Sequence, residues 1–286
     1  MIKQKVQNAL MESRKNILDT MVQHFQTVGS LYNVKDDSKE KKHRKNTVLL
    51  IEPRFSIQVL YILANTFSKI GAEKWNYVFF CGASSLDKWT EILPPIVEIR
   101  PLDTDNFGDT RLYSDFCKTA SLWESLFGEF VLTIQLDCWI LSQSIFNIDF
   151  FTAKNKSYIG GNMEYDWAAF PLFGFPINKR FMTFNGGLSL RKRRDMLEII
   201  RRFPPEKTLD VRRSVLSEHE DVYFVYGCMK LNLPLGNDAE CSHFSVHGIV
   251  KNKCFGVHHP ETDAVRHFLR KTYPQLITLN QYLKLY

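Results

Sequence analysis

The stretch NTVLLIEPR, residues 46–54, is a short apolar run closed by a proline. Val48, Leu49, Leu50 and Ile51 are apolar one after another, not at alternate positions. That pattern reads as a strand buried on both faces, as in a parallel sheet. Downstream the pattern repeats. Residues 57–70 have helical spacing and end at Gly71, and WNYVFFCG (75–82) is a second buried strand. Ser84 or Ser85 caps a helix through Ile92 that Pro94 and Pro95 stop, and VEIRPL (97–102) is a third strand. A loop and a long helix over roughly 110–128 precede a fourth strand, FVLTIQLDCWIL (130–141). Strand and helix in alternation predict an α/β fold, a mostly parallel central sheet covered by helices on both faces.

Upstream, Val6, Leu10, Ile17, Leu18, Met21, Val22 and Phe25 recur at helical spacing over residues 3–30, with Gly29 as a stop. The polar segment VKDDSKEKKHRKN (34–46) follows. Residues 1–45 are therefore expected to form an appended helix and charged linker, and residues 46–286 the main domain. Packing on that domain accounts for the helix better than a lipid surface does.

Composition narrows the function. With 44% hydrophobic and 24% charged residues, the chain is ordinary for a water-soluble globular protein. No apolar run reaches the ~18 residues that span a bilayer, and the first residues lack the apolar centre of a signal peptide. A soluble protein of a cytoplasm-like compartment is expected. The six cysteines form no Cys-x-x-Cys pair, so free thiols are expected rather than a zinc cage. The net charge of +6 suits an anionic ligand. Its basic residues are scattered, and no aromatic-basic stripe marks a nucleic-acid surface, so no nucleic-acid partner is expected.

In an open α/β sheet, ligands sit beyond the carboxyl ends of the strands. This directs attention to Glu52-Pro53-Arg54, to Gly82–Ser85, to Asp103-Thr104-Asp105 and to the end of strand four. There is no Gly-x-Gly-x-x-Gly and no Gly-Lys-Ser/Thr loop, which excludes the usual dinucleotide and P-loop fingerprints. Asp137 lies inside an apolar run, where a charge needs a partner, hydrogen bonds or a metal. It could equally hold a neighbouring loop. Glu220 and Asp221 fall in the first turn of a helix, where they favour the dipole or serve as a general base. His243, His247, His258 and His259 gather near the end, and one could ligate a metal. In FNGGLSLRKRR, Asn185-Gly186-Gly187 reads as a turn or a close backbone approach to a ligand, before a helix opening on Arg191–Arg194. Asp103-Thr104-Asp105 reads as turn chemistry.

Seven steps follow in order: Leu122-Trp123-Glu124, Gln135-Leu136-Asp137, Asp149-Phe150-Phe151, Tyr158-Ile159-Gly160-Gly161, Asn185-Gly186-Gly187-Leu188-Ser189-Leu190-Arg191, Glu220-Asp221-Val222 and Gly256-Val257-His258. The series resembles a glycosyltransferase family catalogued as a domain of unknown function, over roughly residues 46–260. The Glu-Asp-Val-Tyr phrase is also similar to one in inverting β-1,3-type galactosyl- and N-acetylglucosaminyltransferases.

The resemblance implies a GT-A-like, nucleotide-sugar-binding Rossmann-type sandwich. It implies a nucleotide-sugar donor, UDP-linked, and a glycan or other hydroxyl acceptor, joined with inversion and with Mn²⁺ or Mg²⁺. By this resemblance Asp137 and His258 hold the metal, and Asp221, with Glu220 beside it, is the catalytic base. Glu52, Pro53, Arg54, Gln135, Asn185, Gly186, Gly187 and Arg191 face the donor. Gln135 departs from the family's pattern, standing where related enzymes carry the first acid of Asp-x-Asp. That departure leaves a non-catalytic nucleotide- or carbohydrate-binding protein as the alternative. A homodimer is compatible with either.

Overall fold

The computed structural model describes residues 2–31, 43, 45–141, 145–162, 184–205, 219–248, 253–260 and 263–272. Most of the linker and Glu218 lie outside them. The central sheet has six strands in the order β3-β2-β1-β4-β7-β6. β1 (Asn46–Ile51), β2 (Trp75–Gly82), β3 (Val97–Leu102) and β4 (Phe130–Ile134) run parallel. β7 (Phe184–Lys192) runs antiparallel to β4, and β6 (Tyr158–Asn162) antiparallel to β7. A smaller sheet of β5 (Cys138–Ile140), β9 (Gly256–His258) and β8 (Ser245–Val246) lies beside it.

The uninterrupted apolar runs are explained by helices on both faces. Tyr77 meets Phe67 of α2 (Gln58–Ile70), and Phe79 meets Trp89 of α3 (Leu86–Ile92). Phe80 points the other way, onto Phe116 of α4 (Thr110–Cys117), as strand alternation requires. The helix α1 (Ile2–Ser30) lies on α2: Phe25 is fully buried, with its ring 5.2 Å from that of Phe67. The side chains of Val6, Leu10 and Ile17 lie outside the described residues. All six cysteines are free and buried, and among the described residues no helix is long and apolar enough to cross a membrane.

Four local expectations are corrected. The run 130–141 is two strands: the chain leaves the main sheet after Ile134 and turns at Leu136-Asp137. It then enters the small sheet, where the Asn65 amide of α2 bonds both the N–H and the carbonyl of Ile140. Asp137 thus sits in a turn instead of carrying a charge through a buried strand. The long helix over 110–128 is α4 followed by α5 (Ala120–Ser125), because the Thr119 hydroxyl caps a new start by accepting the Leu122 N–H. The Ser85 hydroxyl donates to the Gly82 carbonyl and caps nothing in α3. Asn185-Gly186-Gly187 lies within β7, and α7 (Arg193–Arg202) begins only at Arg193, so Arg191 and Lys192 are strand residues.

Because Phe25 is part of the core, Phe25→Ala should cost about 3–5 kcal/mol, the usual range for an aromatic cavity. Urea denaturation checks this, and a loss under about 1 kcal/mol would show α1 to be a dispensable appendage.

Candidate active site

Beyond the carboxyl ends of β1, β3 and β4 lies a cavity of about 500 Å³. β1 is where the strand order reverses, with β2 on one side and β4 on the other. That is the usual ligand crevice of such sheets, and the volume is one that holds a small molecule. Glu52, Pro53 and Arg54 form one wall, Phe107 and Asp109 another, and Gln135 and Asp137 the floor. Glu52 is 6% exposed, and Arg54 grips its carboxylate with Nε and Nη2, each at 2.8 Å, and with its own N–H at 3.0 Å. Asp103-Thr104-Asp105 laces its own loop: Thr104 Oγ1 donates to the Asn106 carbonyl, and Asp105 accepts the Ser84 N–H.

The break in strand four brings Asp137 to His258. Cys138 of β5 pairs with His258 of β9, and the turn before Cys138 puts Asp137 Oδ1 3.1 Å from His258 Nε2. His258 Nε2 also lies 3.2 Å from Gln135 Oε1, and His259 Nδ1 3.5 Å from Asp137 Oδ2. Burial opposes ionisation of Asp137, but the His258 charge and the hydrogen bonds from both imidazoles outweigh it. They hold the carboxyl well below its usual range. A carboxylate and an imidazole, with an amide oxygen beside them, suit a divalent cation. The adjoining Cys138 thiol does not fit as a ligand: burial pushes it up, so it stays protonated, and it donates to the Gly187 carbonyl at 2.9 Å.

The glycines of β7 lie in a strand and form no turn, one of the two readings that the sequence left open. Pairing between β6 and β7 runs from Gly160↔Ser189 to Asn162↔Phe184, so β7 carries extra residues and bulges at 185–188. Neither Gly186 nor Gly187 has the left-handed φ that demands glycine. They are needed for space. A Cβ on Gly187 would overlap His258 Nε2 and Gln135 Oε1, and one on Gly186 would overlap the Glu220 carboxylate. The bulge is closed by Asn185 Oδ1, which accepts the Gly187 N–H at 2.7 Å.

Gly186 also meets the acidic pair of α8 (Glu220–Lys230): its N–H donates to Asp221 Oδ2 at 3.1 Å. Glu220 is 4% exposed and is bound by Arg191 at 2.8 Å. Arg191 itself is 1% exposed, which corrects its expected place against the donor. Asp221 is half-buried, and burial, with the neighbouring Glu220 charge, pushes its carboxyl up to about 7. The structure therefore joins Asp137, His258, Gln135 and Gly187 in one group, and Asp221, Glu220, Arg191 and Gly186 in the next. Sequence reading missed the loop wall at Phe107 and Asp109, for which only the Asn, Gly and Asp residues gave a signal.

A family model described as "Protein of unknown function (DUF5672)" matches residues 96–259. The chain belongs to this family. Its matched segment runs from just before β3 to His259 and so includes Gln135, Asp137, the β7 bulge, Glu220, Asp221 and His258. No curated protein matches the DUF5672 chain. Among solved structures it is similar to the galactosyltransferase LgtC in complex with donor and acceptor sugar analogs. The TM-score is 0.53 at 10% identity, over 82% of this chain and 94% of that one. The likeness shows that the DUF5672 chain has the GT-A glycosyltransferase fold, with its six-stranded, mostly parallel sheet.

The raised Asp221 carboxyl has a consequence for stability. An unfolded aspartate titrates near ~3.9, whereas the folded group binds its proton up to about 7. The folded state holds more protons in that window, so this group's effect on stability worsens as pH rises through it. Asp221→Asn should therefore raise the melting temperature relative to wild type at pH 8, with the gain fading towards pH 4. Scanning calorimetry of both proteins across that range checks it, and a gain independent of pH would contradict the cause given.

Proposed function

We propose that this chain is a glycosyltransferase. It moves a sugar from a nucleoside-diphosphate sugar, in our reading a UDP-sugar, to a hydroxyl acceptor with inversion. The carrying observation is the placement of two chemically distinct groups on neighbouring residues of one bulge. Gly187 abuts the Asp137–His258 pair and Gly186 hydrogen-bonds Asp221, beside a cavity at the carboxyl ends of the strands. The likeness to a galactosyltransferase supports the reading through the fold.

Asp137 and His258 would hold a divalent cation, Mn²⁺ or Mg²⁺, which when bound supplies Lewis-acid neutralisation of the diphosphate charge. Glu52, Pro53 and Arg54 form the wall for base and ribose. Gln135, Asn185, Gly186 and Gly187 bring polar groups and bare backbone towards the sugar and diphosphate. Asp221 takes the proton from the acceptor hydroxyl. A carboxyl that titrates near neutrality has the basicity this needs and is ionised often enough to act. Glu220 is buried and engaged by Arg191, which leaves Asp221 as the carboxylate for the acceptor. Gln135, a neutral amide beside the cation ligands, favours a second reading: a nucleotide- or carbohydrate-binding protein without catalysis.

UDP should raise the melting temperature in Mn²⁺ but not in EDTA, and Asp137→Asn should abolish the difference. Equal stabilisation in both buffers would remove the metal from the reading. Asp221→Asn should leave UDP binding intact while lowering sugar transfer by about 10²–10⁴-fold, the usual contribution of a general base. UDP binding with neither donor hydrolysis nor transfer in the wild type would favour the second reading.

A further inference from the structure

The buried Arg191–Glu220 pair does not line the cavity, yet it lies against Gly186, the residue whose N–H meets Asp221. Arg191 Nη2 donates to Glu220 Oε1 at 2.8 Å and to the Gly186 carbonyl at 3.2 Å, and its Nε donates to Ser189 Oγ at 2.9 Å. Ser189 Oγ donates in turn to the same Gly186 carbonyl at 2.8 Å. The guanidinium lies among three rings, 4.9 Å from Tyr158, 5.5 Å from Phe224 and 6.0 Å from Trp123. It is closed off from solvent. Gly186 is thus held at its carbonyl by Arg191 and Ser189, and on the other side of its Cα its N–H is aimed at Asp221 Oδ2.

We infer that Arg191 and Glu220 form a positioning device for Asp221: Arg191, anchored by Glu220, holds the carbonyl of Gly186, the residue whose N–H orients the Asp221 carboxylate. This rests on the reading of Asp221 as the base. Among the described residues, Glu220 on its own helix, Arg191 on β7 and Tyr158 on β6 face Asp221. Behind the pair, Tyr113 and Cys117 of α4 face Glu220 and Arg191. Burial and Glu220 push Asp221 up, and Arg191 pulls it down. Arg191 keeps its charge despite burial, because Glu220 and the surrounding groups raise it.

Glu220→Gln retains the shape and an acceptor for Arg191 while removing the negative charge. The ¹³C carboxyl resonance of Asp221, assigned by its loss in Asp221→Asn, should then titrate about one pH unit or more lower. It does so because Arg191 now acts on Asp221 without its counter-ion. Sugar transfer by this variant should persist, with the acidic limb of its pH profile moved down in parallel. Arg191→Lys offers one ammonium in place of a planar fork and cannot reach the three acceptors together. It should lower kcat while leaving KM for the donor unchanged. An Asp221 midpoint unmoved in folded Glu220→Gln overturns the inference. So does a Glu220→Gln variant that is inactive at every pH, since Glu220 would then be a reacting group. The titration requires no turnover. Transfer at the wild-type rate by Asp221→Asn would instead overturn the reading of Asp221 as base, and the two failures are told apart.

Discussion

The site depends on two residues without side chains at the middle of a strand bulge. At Gly186 and Gly187 the strand β7 has no Cβ, so side chains from two other parts of the chain come up against its backbone. On Gly187 these are His258 and Gln135, and on Gly186 they are Glu220 and Arg191. An alanine at either position would force these groups away, since the overlaps are with atoms already fixed by ion pairs or hydrogen bonds. The glycines serve packing between elements and not an unusual backbone angle. The bulge also lets neighbouring residues address two separate groups, which a regular pleat would turn to opposite faces of the sheet.

Two kinds of electrostatics meet there. Asp137 is held ionised by the imidazoles of His258 and His259, although it is partly buried. Asp221 is pushed towards its neutral form by burial and by Glu220. A buried ion pair such as Arg191–Glu220 gives little net stability, because desolvation of both ions offsets their attraction. Removing one partner is far more damaging, since it leaves a bare charge among Trp123, Tyr158 and Phe224. The pair is better understood as a means of holding the Gly186 peptide than as a source of stability.

Much of the fold was legible because β1 and β2 carry near-continuous apolar runs and the helices that follow them stop at Gly71 and just before Pro94. Where reading failed, a distant partner decided the outcome. Nothing within 130–141 shows that the strand divides, because the Asn65 amide that captures Ile140 stands 75 residues away. Arg191 was expected to face the donor, at the opening of a basic helix. Its burial is fixed by Glu220, 29 residues further on, and by rings on three other elements. Of the candidate site, the acid in an apolar run was legible as an anomaly. That His258 lies beside it follows from the β5–β9 pairing, which no local pattern encodes.

The order of the strands explains why these groups share one end of the sheet. Of the four parallel strands, β1, β3 and β4 present their carboxyl ends to the cavity, so their loops supply Glu52, Phe107 and Asp137. β7 runs the opposite way beside β4 and enters at that same end, so it brings its first residues, 184–188, to the place where β4 stops. The chain must leave β4 there, because β7 has bulged out of register beyond Leu188↔Ile134 and offers no ladder to Gln135. The break that exposes Asp137 and the bulge that admits His258 are therefore one event seen on two strands. Were β4 to run on through Leu136 instead, Asp137 would be carried along the apolar sheet and away from the two imidazoles that now meet its charge.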